Sequence, residues 1–175
     1  MATIHIGRIR EKIRHVPGTV PERLIYIDTA AQRLYVIEGT ALRQTFTIST
    51  SRFGTGNREG SFRTPTGLHR IAEKIGAGAP EGRIFRDRLD TGTDWHPGLT
   101  EENLILTRII RLQGMEEEVN RGSGIDTFER YIYIHGTNRE DLIGTPLSHG
   151  CILMRNHDIV ELFDQIPEDT LVLID

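Results

Sequence analysis

The chain of 175 residues has one cysteine, one tryptophan and only two lysines, Lys12 and Lys74. Each shortage excludes something. A lone thiol, Cys151, cannot close an internal disulfide, so the fold needs no oxidising compartment. No apolar run exceeds four residues, against the roughly 20 needed to span a bilayer, so no transmembrane helix is expected. No block of five like charges occurs and the net charge is −4, which argues against a nucleic-acid groove or an anchor on an anionic membrane. Arg8, Arg10, Lys12 and Arg14 interrupt the stretch where a signal peptide would need about 7–15 apolar residues, so a cytoplasmic protein is expected. The length fits one domain with one sizeable core.

What is present is turn-rich and β-branched. Leu24–Asp28, Arg33–Glu38 and Leu42–Ser49 are short apolar runs separated by turn residues and read as a β-meander. Gly54, Gly56, Gly60 and Gly67 surround Pro65, which suits a long exposed loop feeding a strand over Gly67–Ile71. Residues 72–102, with five glycines and two prolines, read as an irregular insertion or lid. Strands resume at Leu104–Leu112 and Arg130–His135; in the latter Ile132 and Ile134 alternate with Tyr131, Tyr133 and His135. Ile159, Leu162, Phe163 and Ile166 fall at helical spacing, predicting one helix over about 157–166, with Asn156 as N-cap and Pro167 as stop. A last strand covers Thr170–Ile174. The expected class is mainly β.

Chemistry concentrates between His135 and Asp158. A thiol attacks only as thiolate, and needs a neighbouring imidazole, backbone N–H groups or a helix N-terminus to ionise. Cys151 has candidates for each in this stretch: His135 at the end of a strand as base, and the Ser148-His149-Gly150 turn, where glycine permits close backbone approach and amides can face an oxyanion. A buried structural cysteine is the commoner role for a lone thiol, but glycine and polar groups at this density are costly for packing alone. His135, His149, Cys151 and His157 would be a zinc-type set, yet they lack paired-cysteine spacing, and no metal is expected.

These residues resemble the L,D-transpeptidase catalytic (YkuD) domain family. The resemblance rests on His135-Gly136-Thr137 and, with twelve residues between His135 and Ser148, Ser148-His149-Gly150-Cys151-Ile152, and on Thr64-Pro65-Thr66-Gly67 upstream. It implies a β-sandwich-like catalytic domain over residues 24–175, with residues 1–23 an N-terminal extension packed on it. It also implies a cysteine enzyme without cofactor acting on peptidoglycan stem peptides or soluble muropeptides. Cys151 would attack the carbonyl of the third stem residue and expel D-alanine; His135 would serve as general base and acid, oriented by the Gly136 carbonyl; Ser148, His149 and Gly150 would shape the turn and oxyanion hole. Either histidine, His135 or His149, can at this stage be the one nearer the sulfur.

Arg155, Asn156, Tyr133, Thr137 and Trp95 are the expected substrate contacts. Such domains commonly carry Arg two residues after the cysteine, where this chain has Leu153; in extended backbone Arg155 would share that face and supply the missing charge. The 19 arginines suit bidentate carboxylate recognition, though a coding bias explains them as well. With the charged N-terminus, water is the expected acceptor, making an L,D-carboxypeptidase that trims tetrapeptides to tripeptides in muropeptide recycling. The alternatives are a transpeptidase forming 3-3 cross-links or exchanging D-amino acids, and a stem-peptide binding module without catalysis.

Overall fold

The computed structural model describes residues 4–14, 21–99 and 102–175. Mainly β structure is observed, and the apolar runs become strands because both faces of the central ones are covered. In β1 (Arg23–Asp28), Ile25 and Ile27 point into the main core and Leu24 into a second cluster on the opposite face. That second cluster is roofed by a short helix, α1 (Ile6–Lys12), through Ile9, with Ile13 just beyond it. β2 (Arg33–Glu38) pairs antiparallel with β1 and with β3 (Ala41–Thr47), which makes the expected meander.

The C-terminal strand β10 (Leu171–Ile174) lies parallel to β1 and antiparallel to β4 (Gly67–Ile75), and β4 in turn pairs with the long strand β7 (Ile105–Gly114). Residues 109–111 of β7 pair both with β4 and with β8 (Tyr133–Gly136), so those two strands lie on its opposite edges. β9 (Ile152–Met154) follows β8 in parallel. Ser49, just after β3, exchanges two backbone hydrogen bonds with Leu153 at 2.9 and 2.8 Å. The sheet thus curls until its ends meet, which is how one hydrogen-bonded network makes a two-layered sandwich around Ile25, Ile27, Ile110, Ile134 and Ile152.

α2 (Asn156–Gln165) packs on β7 and β8 with Ile159, Leu162 and Phe163 buried, as their spacing requires. Asn156 is its first residue rather than its N-cap; Arg155 holds that position in extended conformation. The described part of the expected irregular insertion, residues 72–99, is also more regular than expected. β4 runs on to Ile75, and β5 (Arg83–Arg86) and β6 (Leu89–Asp94) form a hairpin docked on β7 through Ile84 and Phe85. Its turn places Asp87 and Arg88 at φ of 48° and 67°. These signs suit a two-residue hairpin turn, which usually recruits Asn or Gly. β6 is exposed along its whole length, so no hydrophobic alternation betrays it.

Candidate active site

The parallel pairing of β8 with β9 sets His135 opposite Leu153, and the turn before β9 brings Cys151 beside Tyr133. Cys151, His135, Ser148, His149, Leu153, Asn103 and Ile105 line one cleft of about 170 Å³. Cys151 is half-buried. Its Sγ accepts a hydrogen bond from the Tyr133 amide at 3.4 Å and donates to the Tyr131 carbonyl at 3.6 Å. Burial pushes the thiol up to about 11, against the opposing pull of the Tyr133 amide and the Arg130 charge. Arg130 is pinned by donating to the carbonyls of Gly56 and Arg63 at 3.1 and 2.6 Å.

His135 is buried, with Nδ1 at 2.7 Å from the Gly136 carbonyl oxygen. A carbonyl only accepts, so Nδ1 carries the hydrogen and Nε2 keeps its lone pair. Burial lowers its pKa to about 4, although the Gly136 bond acts in the other direction. His149 is exposed, and its Nε2 lies 2.6 Å from an Arg52 Nη, which can only donate. The His149 Nε2 lone pair is therefore occupied, and of the two imidazoles in the cleft His135 is the one whose Nε2 is unengaged.

The turn is shaped from its interior. Ser148 is buried; its Oγ donates to the Cys151 carbonyl at 2.5 Å and accepts from the Gly150 amide at 3.2 Å. Gly150 sits at φ +129°, and a Cβ there would meet Ile132 at 3.0 Å, so only glycine fits without strain. With its amide engaged by Ser148, Gly150 contributes shape to the turn rather than a free oxyanion donor. Thr64, from the upstream Thr-Pro-Thr-Gly segment, donates to the Gly150 carbonyl at 3.0 Å and accepts from the Ser51 amide at 3.0 Å. The two sequence motifs are thus one structural unit.

The expected substrate contacts fare differently. Leu153 is fully buried and lines the cleft, but the strand ends at Met154, so Arg155 does not continue its face; it is exposed at the start of α2 beside Asp158. Arg155→Ala is therefore expected to leave KM for a tetrapeptide with free carboxylates within about twofold, as for an exposed residue outside the cleft. A rise of tenfold or so would restore Arg155 to the site.

Asn156 is consumed by structure. Its Oδ1 accepts from Thr107 at 2.5 Å, its Nδ2 donates to the Thr137 carbonyl and Glu140, and its backbone amide is capped by Glu140 at 2.6 Å. It also closes on Gly136, where a Cβ would strike Asn156 Oδ1 and lie 2.7 Å from the Leu106 carbonyl. Asn156→Ala, which strands these partners, should cost about 1–3 kcal/mol in chemical unfolding; an unchanged midpoint would contradict this role. Thr137 is likewise buried, donating to Asn103 at 2.8 Å and accepting from the Arg139 amide. Trp95 follows β6 and is not among the cleft-lining residues.

Tyr133 serves through its backbone amide, while its ring packs with Phe85 and Ile109 and its hydroxyl accepts from Arg88 at 3.1 Å. Arg88 and Arg130 are functional candidates that spacing alone does not single out, because each reaches its partner from a distant part of the chain. Among the described residues no three His, Cys, Asp or Glu side chains converge as a metal site, and His157 faces Glu81 at 3.5 Å instead of the cleft.

His69 is also buried, between the Gly67 carbonyl and Thr127 at 3.0 Å each, and burial lowers its pKa to about 4. Together with His135 it makes the fold acid-sensitive. From the unfolded value of 6.5 down to about 4 the unfolded chain takes up protons that the native chain refuses. Their contribution is complete above about pH 6.5 and is lost as pH falls through that window, amounting to a few kcal/mol per histidine. The urea midpoint should drop clearly between pH 7 and pH 4.5; a flat dependence would contradict these burial effects.

A thiol and a neutral imidazole with an open Nε2, held in one cleft at the ends of paired strands, is the arrangement from which cysteine acyl-transfer sites are built. The chain matches the YkuD L,D-transpeptidase catalytic domain over residues 22–174 and belongs to that family. A segment of 41 residues is 56% identical to the putative L,D-transpeptidase YqjB of Bacillus subtilis, covering 23% of each chain. One of 43 residues is 49% identical to the probable L,D-transpeptidase YbiS of Escherichia coli, covering 25% of this chain and 14% of that one. The fold is shared with L,D-transpeptidase 3 of Mycobacterium tuberculosis in a faropenem-derived adduct (TM-score 0.55, 14% identity, 89% of this chain and 60% of that one). It is shared too with the L,D-transpeptidase of Xylanimonas cellulosilytica (TM-score 0.53, 19% identity, 91% and 63%). The chain thus spans less than two thirds of these solved relatives, and the segments matched in the curated ones are about a quarter of their length or less.

Proposed function

We propose that the chain is a cysteine acyltransferase that opens the L,D peptide bond before the terminal D-alanine of peptidoglycan stem tetrapeptides and passes the acyl group to water, an L,D-carboxypeptidase acting on soluble muropeptides in the cytoplasm. The observation that carries the reading is that Cys151 and His135, whose Nε2 is left unengaged, line one cleft. The Sγ–C bond forms at the third-residue carbonyl as the thiol proton passes to Nε2. His135 then gives that proton to the departing D-alanine nitrogen as the C–N bond breaks, leaving a thioester. Water, deprotonated by the same Nε2, attacks the thioester and expels the thiolate, which regains the proton. The Tyr133 amide and the fixed charge of Arg130 stabilise negative charge gathering on sulfur.

Thiol and imidazole are both neutral at rest. Burial disfavours the charged form of each, so proton transfer coupled to S–C bond formation avoids placing two separate charges in the buried site. Water is proposed as the acceptor because the same Nε2 can activate it without a second peptide chain entering the cleft. Purified protein is incubated with a disaccharide-tetrapeptide, with and without a D-amino acid, and the products are weighed. Loss of one alanine supports the carboxypeptidase; an exchanged terminus or a dimer replaces water by an amine; no turnover removes both.

A further inference from the structure

Beside the Cys151 cleft stands a surface that the acyl-transfer chemistry does not use. Phe53 and Phe62 are 45% and 56% exposed, yet their rings gather on His149, each with its centroid 5.7 Å from the imidazole. His149 is itself a wall of the cleft, so the platform and the cleft are continuous. The Arg52 guanidinium lies 5.1 Å over Phe53 and bonds His149, which places donors at the platform's edge. Immediately along the same loop, Gly56, Asn57, Arg58, Ser61 and Arg63 line a separate open cavity of about 430 Å³.

The loop is built to hold these rings out. The Gly56 amide donates to the Thr64 carbonyl and the Thr64 amide to the Gly54 carbonyl, Ser51 Oγ donates to the Phe62 carbonyl at 2.5 Å, and Arg130 bonds the carbonyls of Gly56 and Arg63. Phe62 is kept at φ 57°, a backbone state unfavourable for an aromatic side chain. Large exposed apolar groups that are fixed in place and rimmed by polar ones mark binding surfaces.

We propose that this platform is a saccharide subsite, which takes the pyranose ring of the amino sugar carried by a glycan-linked stem peptide. The inference rests on the acyl-transfer reading above. A pyranose has an apolar C–H face that stacks on aromatic rings and a rim of hydroxyl and amide groups that bond arginine, asparagine and serine; the platform offers the first, and Arg52 at its edge with Asn57, Arg58 and Ser61 along the same loop the second. An aliphatic chain would satisfy the rings and desolvate Arg52 and His149 without return. The reach agrees: three stem residues lie between the attacked carbonyl and the sugar, about 10 Å of extended chain. One residue, Gly150, separates His149 from Cys151, so their Cα atoms are at most about 7 Å apart, and the phenylalanine ring centroids lie 5.7 Å from the imidazole.

The test compares kcat/KM for a disaccharide-tetrapeptide and the free tetrapeptide on the native chain, on Phe53→Ala/Phe62→Ala and on Phe53→Trp/Phe62→Trp. The native chain should prefer the glycan-linked substrate about tenfold or more, the alanine pair should bring the ratio near one, and the tryptophan pair should keep the preference. Because the readout is a ratio within each protein, a general loss of activity cancels. No preference in the native chain, or one that survives the alanine pair, overturns the subsite. If the native chain turns over neither substrate, the acyl-transfer reading fails by itself, and NMR titration with the free disaccharide decides the subsite. Shifts in the native chain that vanish in the alanine pair support it; no shifts in the native chain overturn it.

Discussion

Replacing Cys151 by alanine is expected to lower release of D-alanine from a disaccharide-tetrapeptide by about 10⁴-fold or more, the scale seen when a covalent nucleophile is removed. The fold should survive, because Cys151 is half-buried and its thiol makes only two long hydrogen bonds, at 3.4 and 3.6 Å, to the Tyr133 amide and the Tyr131 carbonyl. A change in melting temperature of more than a few degrees would mean that the thiol is chiefly a packing group. The binding-module alternative makes the opposite prediction: no native turnover, and unchanged affinity for the stem peptide in the alanine variant.

The second large effect concerns His135. His135→Gln should reduce kcat/KM by about 10²–10⁴-fold, the usual worth of a positioned general base. Its pH signature is as informative as its size. Because His135 is neutral above about 4 and the thiol protonated below about 11, the native rate should be level across the middle pH range, without an inflection near 6.5. For the same reason Cys151 should alkylate with iodoacetamide at pH 7 more slowly than a free cysteine, since the thiolate is the reacting species. A bell centred on neutral pH, or fast alkylation at pH 7, would point instead to a pre-formed thiolate–imidazolium pair. The glutamine variant should also remove one of the two buried histidines behind the acid sensitivity, so its urea midpoint should depend less steeply on pH between 6.5 and 4.5.

Much of the site was legible in the chain because its parts are local. Ser148, Gly150 and Cys151 occupy one tight turn and His135 with Gly136 ends a strand, which the motif resemblance marks, and the parallel β8–β9 pairing brings them into one cleft. The helix was legible for the same reason, since Ile159, Leu162 and Phe163 mark one face. What was not legible depends on distant partners or on the absence of a hydrophobic code. The β5–β6 hairpin hid because β6 is exposed throughout and its turn is Asp87-Arg88, not Asn-Gly. Arg130 acts by bonding the carbonyls of Gly56 and Arg63, and carbonyls leave no mark in a sequence. Arg155 lies outside the cleft because strand pairing stops at Met154 and Arg155, the exposed N-cap of α2, is not among the cleft-lining residues. Asn156 was assigned to substrate because its type suits hydrogen bonding; the structure spends those bonds on Thr107, Thr137 and Glu140.

The account turns on a thioester at Cys151 that water resolves. The most direct measurement is intact-protein mass spectrometry during turnover of a disaccharide-tetrapeptide in ¹⁸O-labelled water, followed by peptide mapping. The account predicts a transient adduct of the disaccharide-tripeptidyl group mapping to Cys151, absent from Cys151→Ala, and one ¹⁸O atom in the new carboxylate of the released tripeptide. D-alanine release that persists in Cys151→Ala, or an adduct that maps to another residue, would contradict it.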